Sequence, residues 1–366
     1  MILSLFRSND QRYIISIMQT SLFDYDLPKH LIAQHPPDVR GTSRLMIIDT
    51  STGQIRHKRY LDLVRLCKEG DVIVINETKV CKARVYATVI RTGCTVELVF
   101  LREERRVDCF QVWSVLIGRA HRVKDGDSLV VGNHMIAYLG RNTDCVSFLV
   151  SVADAHVLMD EHGHVPLPPY IKRESNESDE CRYNTVFAKN LDSAAAPTAS
   201  INLTDDMLCQ INRKGVCVAK VNLAVGLGTF ASVDTQRVQD YSIHAEEVTV
   251  PEETVQIIRK SKGRVWAFGT TVVRALESAT VAQGTLETYS GKTDLFIYPP
   301  YSFKIVDVLV TNFHQPRTSL LMLVAAFIGR DRMFVAYEEA KNQGYAFLSY
   351  GDSMVAGDFS DDLLFK

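Results

Sequence analysis

Several familiar signals are missing from this 366-residue chain, and each absence narrows what it can do. None of the eight cysteines (67, 81, 94, 109, 145, 181, 209 and 217) stands in a C-x-x-C pair, and a chain this long needs no disulfide framework. They read as small core residues of a protein in a reducing cytoplasm. The formal net charge is only -2, so no global field draws the molecule to nucleic acid or to an acidic membrane. No apolar run approaches a transmembrane span, and the N-terminal MILSLFRSNDQRYIISIM is broken by Arg7, Asp10, Gln11 and Arg12, which spoils a signal peptide. Residues 1–17 read instead as an extension ahead of a start at Met18. The G-x-G of residues 224–230 (AVGLGTF) lacks the third glycine of a dinucleotide-binding turn.

What is present is one construction used repeatedly. In residues 308–323 (VLVTNFHQPRTSLLML) an apolar run stops at Thr311, Asn312, Phe313 and His314, and a second apolar run starts after Thr318 and Ser319. That predicts a buried strand, a polar loop at its carboxyl end and a capped helix. Residues 71–75 (DVIVI) end likewise in Asn76, and VWAF of 265–268 ends in Gly269, Thr270 and Thr271. Further helices are expected at 205–214, 252–261, 271–282, 320–329 and 331–341, with a helix-like stretch up to Gln34. Strands are expected at 216–221 and 303–310, a hairpin at 45–49 and 54–58, and a polar surface loop at 174–181. The 366 residues suggest two domains.

Residues 85–152 have another texture, with short alternating segments (VYATVI, TVELVFL, CFQVWSVLI, SLVVG, MIAYLG, CVSFLV) separated by turn residues. That pattern predicts a small antiparallel barrel. The fold class is therefore α/β, a mixed sheet with flanking helices in two pieces (18–84 and 153–366), interrupted by the inserted β-barrel of 85–152.

The chemistry-bearing candidates lie at predicted strand ends, where open α/β sheets bind ligands. Gly269, Thr270 and Thr271 offer hydroxyls and free helix N–H groups, although an ordinary N-cap explains them more simply. Gly226, Gly228 and Thr229 fit a tight turn beside a ligand and a plain structural turn equally well. Arg274 and Glu277 share a helix face as a surface pair would. Ser349, Tyr350 and Asp352 surround Gly351, with a structural turn as the default. His156, His162 and His164 have no recognisable fourth ligand, so no metal is expected. His244 stands beside Glu246 and Glu247; a lone loop histidine is more often a surface or core residue than a base, but an adjacent carboxylate could orient it. Basic clusters at 56–59, 102–106, 119–124 and 259–264 read as solvated faces, two of them placed on the barrel where an RNA backbone could use them.

Long motifs then carry the reading further. FDYDLPKHLIAQHP, SRLMIIDTSTGQIRHKRY, VINETKVCKARV, GHVPLPPYIKR, RYNTVFAKN, AAPTAS, VGLGTF, GTTVVRALES, TDLFIYPPYSFKIVD, TNFHQPRTSLLMLVAAF and LSYGDSM occur in register from about residue 21 to 355. In these the chain resembles the S-adenosylmethionine:tRNA ribosyltransferase-isomerases of queuosine biosynthesis. The resemblance implies an α/β fold interrupted by a barrel, and S-adenosylmethionine as a co-substrate with no metal. It implies transfer of the ribosyl group to 7-aminomethyl-7-deazaguanine at the tRNA wobble position. The ribose isomerises to an epoxycyclopentanediol, adenine and methionine leave, and epoxyqueuosine-tRNA is formed. A cytoplasmic monomer or weak homo-oligomer, with tRNA as partner and no membrane, goes with this.

Such chemistry needs a base for a ribose C5′ proton and hydrogen bonds that hold the opened sugar. Residue type and position put Asn312 and His314 near the sugar and His244 as a second histidine. Thr270, Thr271 and Arg274 would serve the ribose or the methionine carboxylate, and Asp352 would orient. Gly226, Gly228, Thr229 and Asn76 complete the expected binding set. Pro300 stands where glycine is usual in the family pattern, and two departures weigh more: Asn202 and Ala224 occupy positions that are histidine there. They define the alternative, a catalytically impaired homologue that still binds tRNA. A conventional methyltransferase is disfavoured by the missing glycine-rich first turn.

Overall fold

The computed structural model describes residues 17–142, 147–281 and 283–360. The expected extension thus lies, apart from Ile17, outside the described residues, as do Cys145 and Ala282. The strands in chain order are β1 (Arg44–Asp49), β2 (Ile55–Arg59), β3 (Val72–Asn76), β4 (Thr78–Val80), β5 (Arg84–Val89), β6 (Thr95–Val107), β7 (Phe110–Gly118), β8 (Ser128–Val131), β9 (His134–Arg141) and β10 (Phe148–Val152). They continue with β11 (Asn190–Ser193), β12 (Cys217–Leu223), β13 (Glu246–Val250), β14 (Val265–Phe268), β15 (Tyr289–Thr293), β16 (Val308–Asn312) and β17 (Ser353–Gly357). The helices are α1 (Leu63–Leu66), α2 (Ala155–His162), α3 (Glu177–Arg182), α4 (Asp205–Arg213), α5 (Glu252–Lys260), α6 (Thr270–Ser278), α7 (Ser319–Ile328) and α8 (Arg330–Asn342).

Among the described residues nine strands form one mixed sheet in the order β15-β13-β12-β3-β14-β16-β17-β1-β2. Its centre, β12-β3-β14-β16, is parallel. Both faces of those strands are apolar because both are covered. Val72, Val74, Ala267 and Leu309 pack with α6, α7 and α8 on one side; Ile73, Ile75, Trp266 and Val310 pack with α1 and α4 on the other. The antiparallel neighbour β17 brings residues 349–352 to the end where the parallel strands finish, since Asn312 pairs with Ser353.

The barrel closes in the order β10-β7-β6-β5-β8-β9. Its alternation is that of a filled small barrel: in β9 Ile136 and Tyr138 point in, while Met135 and Leu139 point out. Ala155, Leu158 and Met159 of α2 pack into the same core.

Several expectations are corrected. The stretch to Gln34 yields only a 3-10 turn at Lys29–Leu31, hemmed in by Pro28, Pro36 and Pro37. The strand expected from 303 begins at Val308, because the Glu277 carboxylate takes the N–H groups of Lys304 and Ile305 before any neighbouring strand can. Helix α6 stops at Ser278, and Thr280 bridges Leu286 instead. Residues 174–181 are no plain loop. Asn176 and Asp179 form a reciprocal capping box that starts α3, and the buried Asp179 takes two bonds from Arg173 and one from the Tyr350 hydroxyl. Of the described cysteines only Cys67 is buried, while 109, 181, 209 and 217 are exposed. The basic run at 102–106 is answered locally by Glu104 and Glu103.

The buried carboxylate of Asp71 is the main polar tie at the amino end of the sheet. It accepts from the Trp266 indole at 2.9 Å, from the Arg264 guanidinium at 2.9 Å and from the Lys68 N–H at 3.0 Å. Asp71→Ala strands an indole donor and a guanidinium together, so urea unfolding should show a loss of about 3 kcal/mol or more.

Candidate active site

The carboxyl ends of β3, β12, β14 and β16 meet along one line, and the loops leaving them wall an open cleft of about 620 Å³. Thr198 and Ala199 form one wall, Thr311, Asn312 and His314 another, and Thr270 and Thr271 the floor. Tyr170, Phe230, Leu348 and Ser349 close the rim. A second cleft of about 550 Å³ is lined by Gly226, Gly228, His244, Glu246, Arg274 and Phe296. Thr229 and Leu320 line both, so the two clefts adjoin.

Helix α6 starts at Gly269, whose φ of 111° suits glycine and which supplies no side-chain cap. Among the described residues the N–H groups of Thr270 and Thr271 and the Thr270 hydroxyl have no partner. They present open donors at the positive end of a helix to the first cleft, a setting for a carboxylate or a sugar hydroxyl.

Beneath these donors the polar side chains are already committed. Asn76 is fully buried; its amide donates to the Leu223 carbonyl at 3.0 Å and to the Thr271 hydroxyl at 3.5 Å, and its oxygen accepts from Leu223 N at 3.1 Å and Thr78 N at 3.2 Å. It lies behind the cleft rather than in it. Asn312 lines the cleft, accepts from the Thr198 hydroxyl at 2.8 Å and donates to the Asp352 carbonyl at 3.3 Å. Asp352 turns its carboxylate away, accepting from Arg44 N at 2.6 Å and Ala346 N at 2.8 Å, and burial raises its pKa.

Arg274 and Glu277 are buried and do not pair with one another. Arg274 bonds Glu246 and the Leu295 carbonyl, and Glu277 holds residues 301–305. Glu246 in turn accepts from Gly226 N at 3.1 Å and the Thr229 hydroxyl at 3.2 Å. The Gly226–Thr229 loop is thus fixed by a buried ion pair between the two clefts. The sequence placed Glu246 only as a neighbour of His244; its burial, in alternation with the exposed Glu247 along β13, is what marks it as the partner of Arg274.

His314 is buried, its Nε2 lies 2.9 Å from the Thr311 hydroxyl, and its backbone is bonded by Tyr25 and Tyr337. Burial pushes the imidazole pKa down to about 3, so the ring is neutral at pH 7 and exchanges hydrogen bonds rather than holding a proton. His244 is exposed at the edge of the second cleft, packed on Gly228. Asn202 is buried with its Oδ1 unpartnered, and neither it nor Ala224 lines either cleft. Leu348 adopts φ 71°, a strained value for a branched side chain, at the cleft rim.

A mixed α/β sheet whose parallel strand ends gather free helix donors, hydroxyls and a neutral imidazole beside two adjoining clefts defines the class of α/β protein in which small polar ligands are typically bound. Comparison narrows this. The family model described as queuosine biosynthesis protein matches residues 20–356. A protein of Chlorobium phaeovibrioides named S-adenosylmethionine:tRNA ribosyltransferase-isomerase is 41% identical over 347 residues, covering 92% of this chain and 99% of that protein. One of the same name from Thermotoga maritima is 43% identical over 343 residues, with 92% and 99% covered. The crystal structure of the S-adenosylmethionine tRNA ribosyltransferase of Thermotoga maritima aligns with a TM-score of 0.52 at 34% identity, covering 92% of this chain and all of that one. This chain belongs to the queuosine biosynthesis protein family. Among the described residues no helix is long and apolar enough to cross a membrane.

The depressed pKa of His314 makes stability depend on pH with a definite sign. The unfolded imidazole protonates near 6.5 and the folded one only near 3, so acid favours the unfolded chain and this contribution is lost as pH falls through that window. His314→Gln should therefore lose less of its thermal midpoint between pH 7 and 5 than the unmodified chain does. Equal losses would show that the imidazole titrates normally.

Proposed function

We propose that this chain transfers and isomerises the ribosyl group of S-adenosylmethionine onto the 7-aminomethyl-7-deazaguanine base of tRNA, releasing adenine and methionine and leaving epoxyqueuosine. The observation that carries the reading is the bipartite cleft at the carboxyl ends of four adjacent parallel strands, in a chain whose relatives carry the name of this activity. S-adenosylmethionine is itself bipartite, a nucleoside and an amino acid joined at a sulfonium, and two adjoining clefts suit it.

The residues divide the work by their partners. The open donors of Thr270 and Thr271 hold sugar hydroxyls or the methionine carboxylate. Asn312 and the neutral His314 hydrogen-bond the opened sugar, with His314 Nε2 held beside the Thr311 hydroxyl. Arg274 is spent on Glu246 and acts by positioning the Gly226–Thr229 loop rather than by touching the ligand. Asp352 positions Asn312 through its backbone carbonyl. His244, exposed at the edge of the second cleft and packed on Gly228, serves in this reading as the side chain that exchanges a proton with substrate. The sulfonium acidifies the adjacent C5′ protons and brings its own leaving group. The reading carries a cytoplasmic location, where its tRNA substrate is found. Residues 202 and 224 lie off both clefts, which supports an active enzyme despite the departures.

Incubation with S-adenosylmethionine and tRNA carrying the aminomethyl base should yield epoxyqueuosine by nucleoside mass spectrometry, with an equal amount of free adenine. Binding of tRNA without adenine release overturns the proposal. Thr270→Val, which removes one open hydroxyl donor and little volume, should lower kcat/KM for S-adenosylmethionine by roughly tenfold, about one hydrogen bond.

A further inference from the structure

We infer that His134, Glu161 and His162 form a binding site for a divalent cation of the zinc class, on the barrel and apart from both clefts. Glu161 and His162 end α2, and His134 opens β9 after the Gly132–Asn133 turn. His134 Nε2 lies 2.8 Å from Glu161 Oε2, and His162 Nε2 lies 3.8 Å from the same oxygen. One ligand atom from each residue falls within 4.8 Å of the others, and the two imidazole rings stand edge to face at 5.6 Å. Ligand atoms around a tetrahedral cation with bonds of about 2.1 Å stand roughly 3.4 Å apart, so small side-chain rotations would close the set.

A second observation concerns Gly132. Its φ is 53°, and a Cβ placed there would stand 2.4 Å from His162 Nε2 and 2.7 Å from Cε1. The His162 ring therefore rests against this turn, where a side chain would push it aside. Pairing of Val131 with His134 fixes the turn that carries His134 and meets the His162 ring. The helix geometry agrees, since Glu161 and His162 lie in the last turn of α2, where the helix dipole favours positive charge.

Two imidazoles and one carboxylate suit zinc and its neighbours and disfavour magnesium or calcium, which prefer all-oxygen shells. No residue of this set lines either cleft, so the cation's effect is structural. At its start α2 is already held by the Asp154 cap and by Ala155 N on Gln111. A cation would pin its other end to the β8–β9 turn. The three histidines spaced along 156–164 do not converge: His156 packs on Trp113 and His164 on Tyr86, and the partner of His162 comes from another strand.

The test is a titration of the purified full chain with Co²⁺ and Zn²⁺. One Co²⁺ should bind with visible d–d absorption and no near-ultraviolet thiolate band, and Zn²⁺ should displace it and raise the melting temperature with concentration. His134→Gln and His162→Gln should each weaken binding by about tenfold or more, while His121→Gln, at an exposed histidine elsewhere on the barrel, should not. In the unmodified chain Zn²⁺ should shift the imidazole resonances of two histidines and no others, a readout independent of whether a variant folds. The proposal is overturned by absence of saturable binding, by a thiolate band, or by full affinity in the His134→Gln, His162→Gln double variant.

Discussion

Asn76 meets the constraint around which the cleft is organised. Where buried parallel strands end, backbone N–H and carbonyl groups lose their ladder partners in a place water cannot reach, and each orphan costs about 1–3 kcal/mol. One fully buried amide answers three such demands and also reaches the Thr271 hydroxyl, joining the ends of β3 and β12 to the first turn of α6. With that knot tied, Thr270 and Thr271 are held with their own donors open. The cleft is polar because the layer beneath it is saturated.

The same division recurs around the rim. Glu246 and Arg274 neutralise one another and hold the Gly226–Thr229 loop between the clefts. Asp352 spends its carboxylate on two backbone donors and offers Asn312 only its carbonyl. Glu277 replaces part of a strand's hydrogen bonding. The side chains most conspicuous as catalytic candidates are therefore mostly bonded to other protein groups, and the cleft itself presents hydroxyls, helix N–H groups and a neutral imidazole. A buried ion pair is costly to desolvate and is worth keeping where it sets the register of a loop.

The sequence by itself determined the architecture, because it is written in periodicities that backbone geometry must obey. Runs apolar at every position, as in 72–75 and 265–268, can only be strands covered on both faces, and alternation from 85 to 152 can only face a core on one side. The line of strand ends followed from the polar residues that stop those runs, and so did Thr270, Thr271, Thr311, Asn312 and His314 in the cleft, whereas Tyr170, Thr198, Ala199 and Phe230 did not. What tertiary structure alone decided was which polar group faces ligand and which faces backbone. Asp352 and Arg274 look alike on paper as site residues, and their orientation depends on partners such as Arg44 and Glu246, far off in the chain. The helix at 177–182 was hidden because its buried carboxylate is matched by Arg173 and Tyr350, and the meeting of His134 with His162 because a closed barrel brings them together. Local pattern carries propensity and burial; the pairing of charges and hydrogen bonds across long sequence separations exists only once the chain has folded.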